Sequence, residues 1–196
     1  MQSLALNIGE KGVVILCIGL PGSGKTTACK EVARKHPEIV HQSMGDLLRA
    51  EAKLSTERAM FVHSCLSQGK LVPVDMGLEI LGEFLVQNRE KIILLDGYQG
   101  TLEYLDPFHA CLAHHGFAIK KVIAFDVSIA TALARSQGRM REDDAPEALA
   151  QRMFIRLSSM DPIKNWYDNK KLLVSINAER PVEQVVTDCQ ALICAS

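Results

Sequence analysis

The sequence predicts an α/β domain, a parallel β-sheet with helices packed on both faces, and three observations carry that prediction. Apolar runs of strand length alternate with helical periodicities along the whole chain. The strongest runs, at 13–18 and 92–95, are apolar at every position, as strands are when both faces of the sheet are covered. The first run opens directly into Gly19-Leu20-Pro21-Gly22-Ser23-Gly24-Lys25-Thr26, a glycine-rich turn that leads into a helix. In such a sheet, ligands gather at the carboxyl ends of the strands.

The elements follow in order. After the helix that starts near Lys25, residues 38–41 read as a short strand, and Ser43 is placed to cap a helix over about 45–53. Thr56 starts another helix, with Ala59, Val62 and Leu66 at helical spacing and Gly69 at its end. Val72-Pro73 is an extended dipeptide, followed by a helix over 74–88 with Ile80, Leu81, Phe84 and Leu85 on one side. A buried strand at 91–96, a helix over about 101–115 closing near Gly116, and a strand at 121–126 come next. The chain ends with a helix, a polar basic loop at 137–144, a long helix from Pro146 to about Asp168, a strand at 172–176 and a helix over 181–192.

Composition narrows the class. With 196 residues, 47% hydrophobic and 23% charged, the expectation is one globular domain spanning 1–196 with a full core. A net charge of −1 argues against a nucleic-acid backbone or a membrane surface as partner. The six cysteines lack paired metal-ligand spacing and read as reduced, mostly buried thiols. His63, His109, His114 and His115 show no ligand spacing either. Residues 1–11 carry no basic stretch followed by an apolar one, and no apolar run reaches the roughly 18 residues a membrane helix needs. A cytoplasmic protein is the expectation.

The glycine-rich turn is a P-loop. Its glycines let successive N–H groups point at phosphate oxygens, and the following helix adds its positive end. Gly22, Ser23, Gly24, Lys25, Thr26 and Thr27 are therefore the candidate contacts to a nucleotide triphosphate, with Lys25 on the terminal phosphates and the Thr26 hydroxyl on Mg²⁺. Asp96 ends a run of four aliphatic residues, where a rigid strand delivers a carboxylate to the edge of the P-loop and toward the same ion. Arg135, Arg139, Arg141 and Arg152 cluster in one region, and the transferring phosphoryl group needs its oxygens neutralised. Arginine-rich and flexible, the loop at 137–144 reads as a lid that closes to expel water. A GTPase is disfavoured, because Asn169-Lys170-Lys171-Leu172 lacks the aspartate of a guanine-reading motif.

Together with Gly45-Asp46-Leu47-Leu48-Arg49, Gly69-Lys70-Leu71-Val72-Pro73, Leu94-Leu95-Asp96-Gly97, Gly138-Arg139, Arg141-Glu142-Asp143-Asp144 and Arg152, this P-loop resembles the adenylate kinase family of nucleoside monophosphate kinases. The resemblance runs from about 13 to 193. It implies a three-layer α/β/α P-loop NTPase fold with five parallel strands ordered 2-3-1-4-5, a monophosphate-binding arm at about 43–73, and a short lid at about 137–145 without a zinc site. It implies a monomer that reversibly moves the γ-phosphoryl of Mg·ATP to a nucleoside monophosphate, AMP above all. By the same resemblance Lys25, Arg139, Arg141 and Arg152 are catalytic, and Arg135, Arg139 and the Ala178 backbone hold the donor. Ser43, Arg49, Val72, Gly97, Arg141 and Arg152 are assigned to the acceptor, and Asp96, helped by Asp46, to the Mg²⁺ shell through water. No general base is required, because a monophosphate oxygen is already anionic near neutral pH.

The departures from the family pattern all lie on the acceptor side. After Asp96-Gly97 an aromatic, proline, arginine and threonine are usual, and here Tyr98-Gln99-Gly100-Thr101 stands instead. The arginine expected to clamp the acceptor phosphate is Gly100, an expected adenine-binding glutamine falls at Tyr104, and Met44 replaces a hydroxyl residue. Loss of one bidentate phosphate contact costs on the order of 2–4 kcal/mol, roughly 30- to 1000-fold in acceptor efficiency, unless another cation replaces it. Lys70, Arg58 and Lys53 are the candidates. Three readings stand at this point: a monophosphate kinase with a remodelled acceptor pocket, a kinase of another small acceptor, and a nucleotide-binding protein with weak or no transfer.

Overall fold

In the computed structural model, which describes residues 12–97, 101–137 and 146–194, strand β1 (Gly12–Gly19) is the hub. Its apolar run has no polar face, and the alternation of side chains sends it into two cores. Val14, Leu16 and Ile18 enter one cluster; Val13, Ile15 and Cys17 enter the other. β3 (Ile92–Asp96) and β4 (Phe117–Asp126) divide in the same way, with Leu95 and Ala124 on the first side and Leu94 and Phe125 on the second. β2 (Ile39–Ser43) and β5 (Leu173–Asn177) complete a parallel sheet ordered β2-β3-β1-β4-β5, the order expected.

Helices cover both faces. α1 (Lys25–Lys35) and α8 (Val182–Cys194) pack on the second side through Ala28, Cys29, Val32, Val185 and Cys189. α4 (Val74–Gln87), α5 (Leu105–His114) and α7 (Pro146–Asn169) pack on the first through Leu81, Leu85, Phe108, Leu112, Ile163 and Tyr167. Each fully buried side chain of this size contributes about 1.5–3 kcal/mol. α2 (Met44–Glu51) and α3 (Glu57–Ser67) share a small core of Val62, Cys65, Val72 and Ile80 with the start of α4, and α6 (Ile129–Gln137) follows β4; the expected lid at about 137–145 lies almost wholly outside the described residues. Among the described residues, no helix is long and apolar enough to cross a membrane.

Three local expectations need correction, and the long helix α7 runs as expected. Ser43 stands at the N-cap of α2 with extended backbone, but its side chain makes no capping hydrogen bond. The helix expected over 101–115 is a single 3-10 turn at Leu102–Tyr104 followed by α5, because Pro107 disfavours a regular helix running in from upstream. β4 begins at Phe117 rather than 121: Val14 pairs with Ile119 and Ile15 with Lys121, so Lys120 is an extra residue in a bulge. That bulge lets the strand run through two lysines, and Lys121 Nζ donates to the Leu192 carbonyl at 2.5 Å. α7 continues through Pro162, whose missing N–H deprives only the exposed Ser158 carbonyl of an intrahelical donor.

Candidate active site

Parallel pairing sets Cys17, Ser43 and Asp96 level with one another on β1, β2 and β3. The P-loop leaves the sheet at this level. Gly22 has φ +80°, and a Cβ there would lie 2.1 Å from the Ala132 carbonyl of α6, so only glycine allows the loop to pass under that helix. The turn is closed by Ser23 N–H donating to Leu20 O at 3.1 Å, and α1 starts with Ala28 N–H donating to Gly24 O at 3.0 Å.

Lys25 is buried within this loop, its Nζ donating to the carbonyls of Gly19 and Leu20, both at 3.0 Å. Burial is the main reason its pKa falls from an ordinary 10.5 to about 8, and the Arg156 charge pushes in the same direction against the opposing pull of Asp96. The next residue is Thr26, whose hydroxyl donates to Asp96 Oδ1 at 3.3 Å. The second carboxylate oxygen, Oδ2, lies 2.6 Å from His41 Nε2. Asp96 is thus aimed by partners from two elements, α1 and β2. Cys29 Sγ is also among donor atoms within 4.8 Å of one another here, but burial drives its pKa well up, so it is a packed, protonated thiol.

Two cavities flank the loop. The first is a cleft whose walls include Lys25, Thr26, Ser43, Arg49, Val72, Asp96, Gly97 and Arg152, bringing together sequence-predicted residues from five separate segments. The second, on the other side of the loop, is lined by Ser23, Gly24, Thr27, Arg135 and Ala178. Arg135 Nη1 donates to the Ala178 carbonyl at 2.8 Å, and Glu179 Oε1 accepts from Ser128 N–H at 2.6 Å, which ties the loop after β5 to the start of α6. Gly22 lines neither of these cavities; its place is in the packing just described. Arg139, Arg141 and Gly100 lie outside the described residues.

Some expected roles are redistributed. Asp46 is paired with Arg49, Nη2 to Oδ1 at 2.5 Å, so it positions that guanidinium at the cleft wall. Gly45 gives the arginine room to fold back, its would-be Cβ only 3.0 Å from Arg49 Nη2. Arg58 is committed elsewhere, to Glu51 at 2.7 and 3.0 Å and to Glu83 at 3.0 Å, and those bonds raise its already high pKa. Lys70 does line the cleft, from an exposed position.

Two site residues were not read from the sequence. His41 follows Ile39-Val40 and precedes Gln42-Ser43 on a short edge strand and carries no motif. Arg156 lines the cleft together with Arg152. Its signal was present in the four-residue spacing from Arg152, which puts both guanidinium groups on one helix face.

Comparison with known proteins gives a consistent picture. A family model described as adenylate kinase matches residues 17–172. A protein named adenylate kinase from Helicobacter pylori strain Shi470 is 39% identical over 183 residues, covering 92% of this chain and 96% of the relative. Those from Campylobacter concisus and Wolinella succinogenes are 35% and 33% identical, each with 92% of this chain and 96% of the relative covered.

Proposed function

This chain belongs to the adenylate kinase family of ATP-dependent phosphotransferases, and from that premise we propose that it transfers the γ-phosphoryl group of Mg·ATP to AMP. The observation that supports this most is the cleft in which Lys25, Thr26 and Asp96 face Arg49 and Arg152, next to a second cavity at Arg135 and Ala178. Two nucleotides would enter from opposite sides and meet above the P-loop.

Lys25 and the P-loop N–H groups hold the donor phosphates, and Arg135 with the Ala178 backbone borders the donor base. Arg49 and Arg152 hold the acceptor phosphate, with the chain at Val72 and Gly97 beside its nucleoside. The Thr26 hydroxyl and the Asp96 carboxylate, 3.3 Å apart, are hard oxygen donors that suit Mg²⁺ and its waters. That ion supplies charge neutralisation across the donor phosphates. An oxygen of the acceptor phosphate bonds to the γ-phosphorus as the bridge to the β-phosphate breaks, and ADP leaves carrying the bridging oxygen. The cations neutralise the oxygens of the group in flight, and holding the reactants in line supplies most of the rate. Arg139 and Arg141 are proposed to join them from the lid.

Chromatography of products after incubation with Mg·ATP and, separately, AMP, CMP, UMP and GMP tests this reading. ADP accumulating from AMP far faster than any other diphosphate is the expected result. Preference for another monophosphate, or no diphosphate from any of them while ATP still binds, would overturn it.

A further inference from the structure

We infer that Arg156 is a direct ligand of the acceptor's phosphate, a second arginine that α7 presents to the cleft beside Arg152. The inference rests on the kinase reading above for the identity of the ligand, while the geometry alone calls for an anion.

Arg156 Nη1 is shut off from solvent and has no hydrogen-bond partner among the described residues. A guanidinium stays charged at neutral pH even here, where burial, and after it the nearby Arg152 charge, lowers its pKa to about 10. An N–H of a charged group withdrawn from water without an acceptor is expensive, so folded proteins keep such groups where a ligand completes them. Among the described residues none supplies the acceptor. Among the described residues lining the cleft, the one acidic side chain is Asp96, and its oxygens are engaged by Thr26 and His41. The rest of the charge there is positive, from Lys25, Arg49, Lys70 and Arg152. An anion with several oxygens is what this arrangement fits.

Placement narrows which anion. Arg156 borders the cleft that holds Arg49, Val72 and Gly97 as well as Lys25 and Thr26 of the P-loop, and it is absent from the cavity that Arg135 and Ala178 line, which puts it at the phosphates and on the arm side rather than at the donor base. A planar fork of donors matches two oxygens of a phosphate monoester. Arg156 therefore supplies the acceptor side with a cation in a chain that has glycine at position 100, where the family pattern has arginine. Arg58, bound to its glutamates, does not.

The test is equilibrium binding of AMP alone and of Mg·ATP alone, by calorimetry, to the wild type, Arg156→Met and Arg156→Lys, with melting temperatures and AMP and ATP KM values alongside. Loss of a forked, charge-assisted contact predicts AMP binding weakened roughly 30-fold or more in Arg156→Met, with ATP affinity changed less than about threefold. Arg156→Lys keeps the charge without the fork and is expected to fall between, which preserves the test if the methionine variant is poorly folded. Equal AMP affinity in folded variants, or a loss seen for ATP instead, overturns the inference. AMP binding that depends on Arg156 without any ADP formation would leave the inference standing and sink the kinase reading. ADP formation with an AMP KM indifferent to position 156 would do the reverse, and a wild type that binds no AMP would contradict both.

Discussion

The two sides of the site are built by different means. On the side proposed for the donor, the walls are largely backbone and side chains locked by it: the P-loop turn passing under α6, Lys25 held by two carbonyls, Arg135 held by Ala178. On the side proposed for the acceptor they are long cationic side chains on α2 and on α7, one of them, Arg49, turned into place by a neighbouring carboxylate. A site made from backbone depends on the path of the chain and has few alternatives. A site made from arginines needs only enough positive charge within reach, and that charge can arrive from a different element. This explains why the sequence matches its family on one side of the P-loop and departs from it on the other at positions 44, 100 and 104.

The largest effect should come from the donor side. Lys25→Met is expected to lower kcat by about 10²- to 10³-fold, as removal of one preorganised charge-stabilising donor does, with the fold intact. Stopped-flow or coupled kinetics, together with circular dichroism, checks this. Gly22→Ala should come next, acting on stability: its Cβ meets the Ala132 carbonyl at 2.1 Å in a left-handed conformation. A loss of about 2–3 kcal/mol is expected in urea unfolding. A variant as stable as the parent would show that the loop is not pinned by α6.

A smaller change tests His41. His41→Leu removes the partner of Asp96 Oδ2 and should cost about tenfold in kcat, with AMP affinity unchanged, if the pair serves to aim the carboxylate. A rise in AMP KM instead would move His41 to the acceptor side of the comparison.

The smallest is a pH effect at Lys25, whose pKa of about 8 makes the sign definite. ATP phosphates hold the proton on Lys25, so ATP affinity should weaken roughly tenfold between pH 7.5 and 9, with proton uptake on binding above pH 8. Stability moves the other way. The unfolded lysine binds its proton up to about 10.5 while the folded one releases it near 8, so burial of Lys25 destabilises the protein less as pH rises through that window. Calorimetry in buffers of different ionisation enthalpy reads the uptake; its absence would mean that Lys25 keeps its charge in the free protein.

How legible the molecule was follows the same division. The sheet and the P-loop could be read because unbroken apolar runs and fixed glycine spacing are local signals, and family resemblance supplied the strand order. Ser43, Arg49, Val72 and Arg152 were predicted from three separate segments, and the fold brings them to one cleft. His41 was missed because its role depends on register: it lies on β2, and only pairing with β3 brings it to Asp96. Arg156 was missed because helical spacing from Arg152 says where a side chain points but not whether water or a cavity waits there. The bulge at Lys120 and the 3-10 turn before α5 were hidden by two lysines and by Pro107, which read as boundaries or pass unnoticed until the chain is folded.

The claim that the acceptor side has been rebuilt with its own cations is tested most directly by the AMP KM of Gly100→Arg in the wild-type and Arg156→Met backgrounds. If Arg156 already holds the phosphate, the substitution should change the wild-type value less than about threefold and recover most of the loss in Arg156→Met. A gain of roughly 30-fold or more in the wild-type background would contradict the account, because it would mean that the acceptor phosphate had been short of a cation all along.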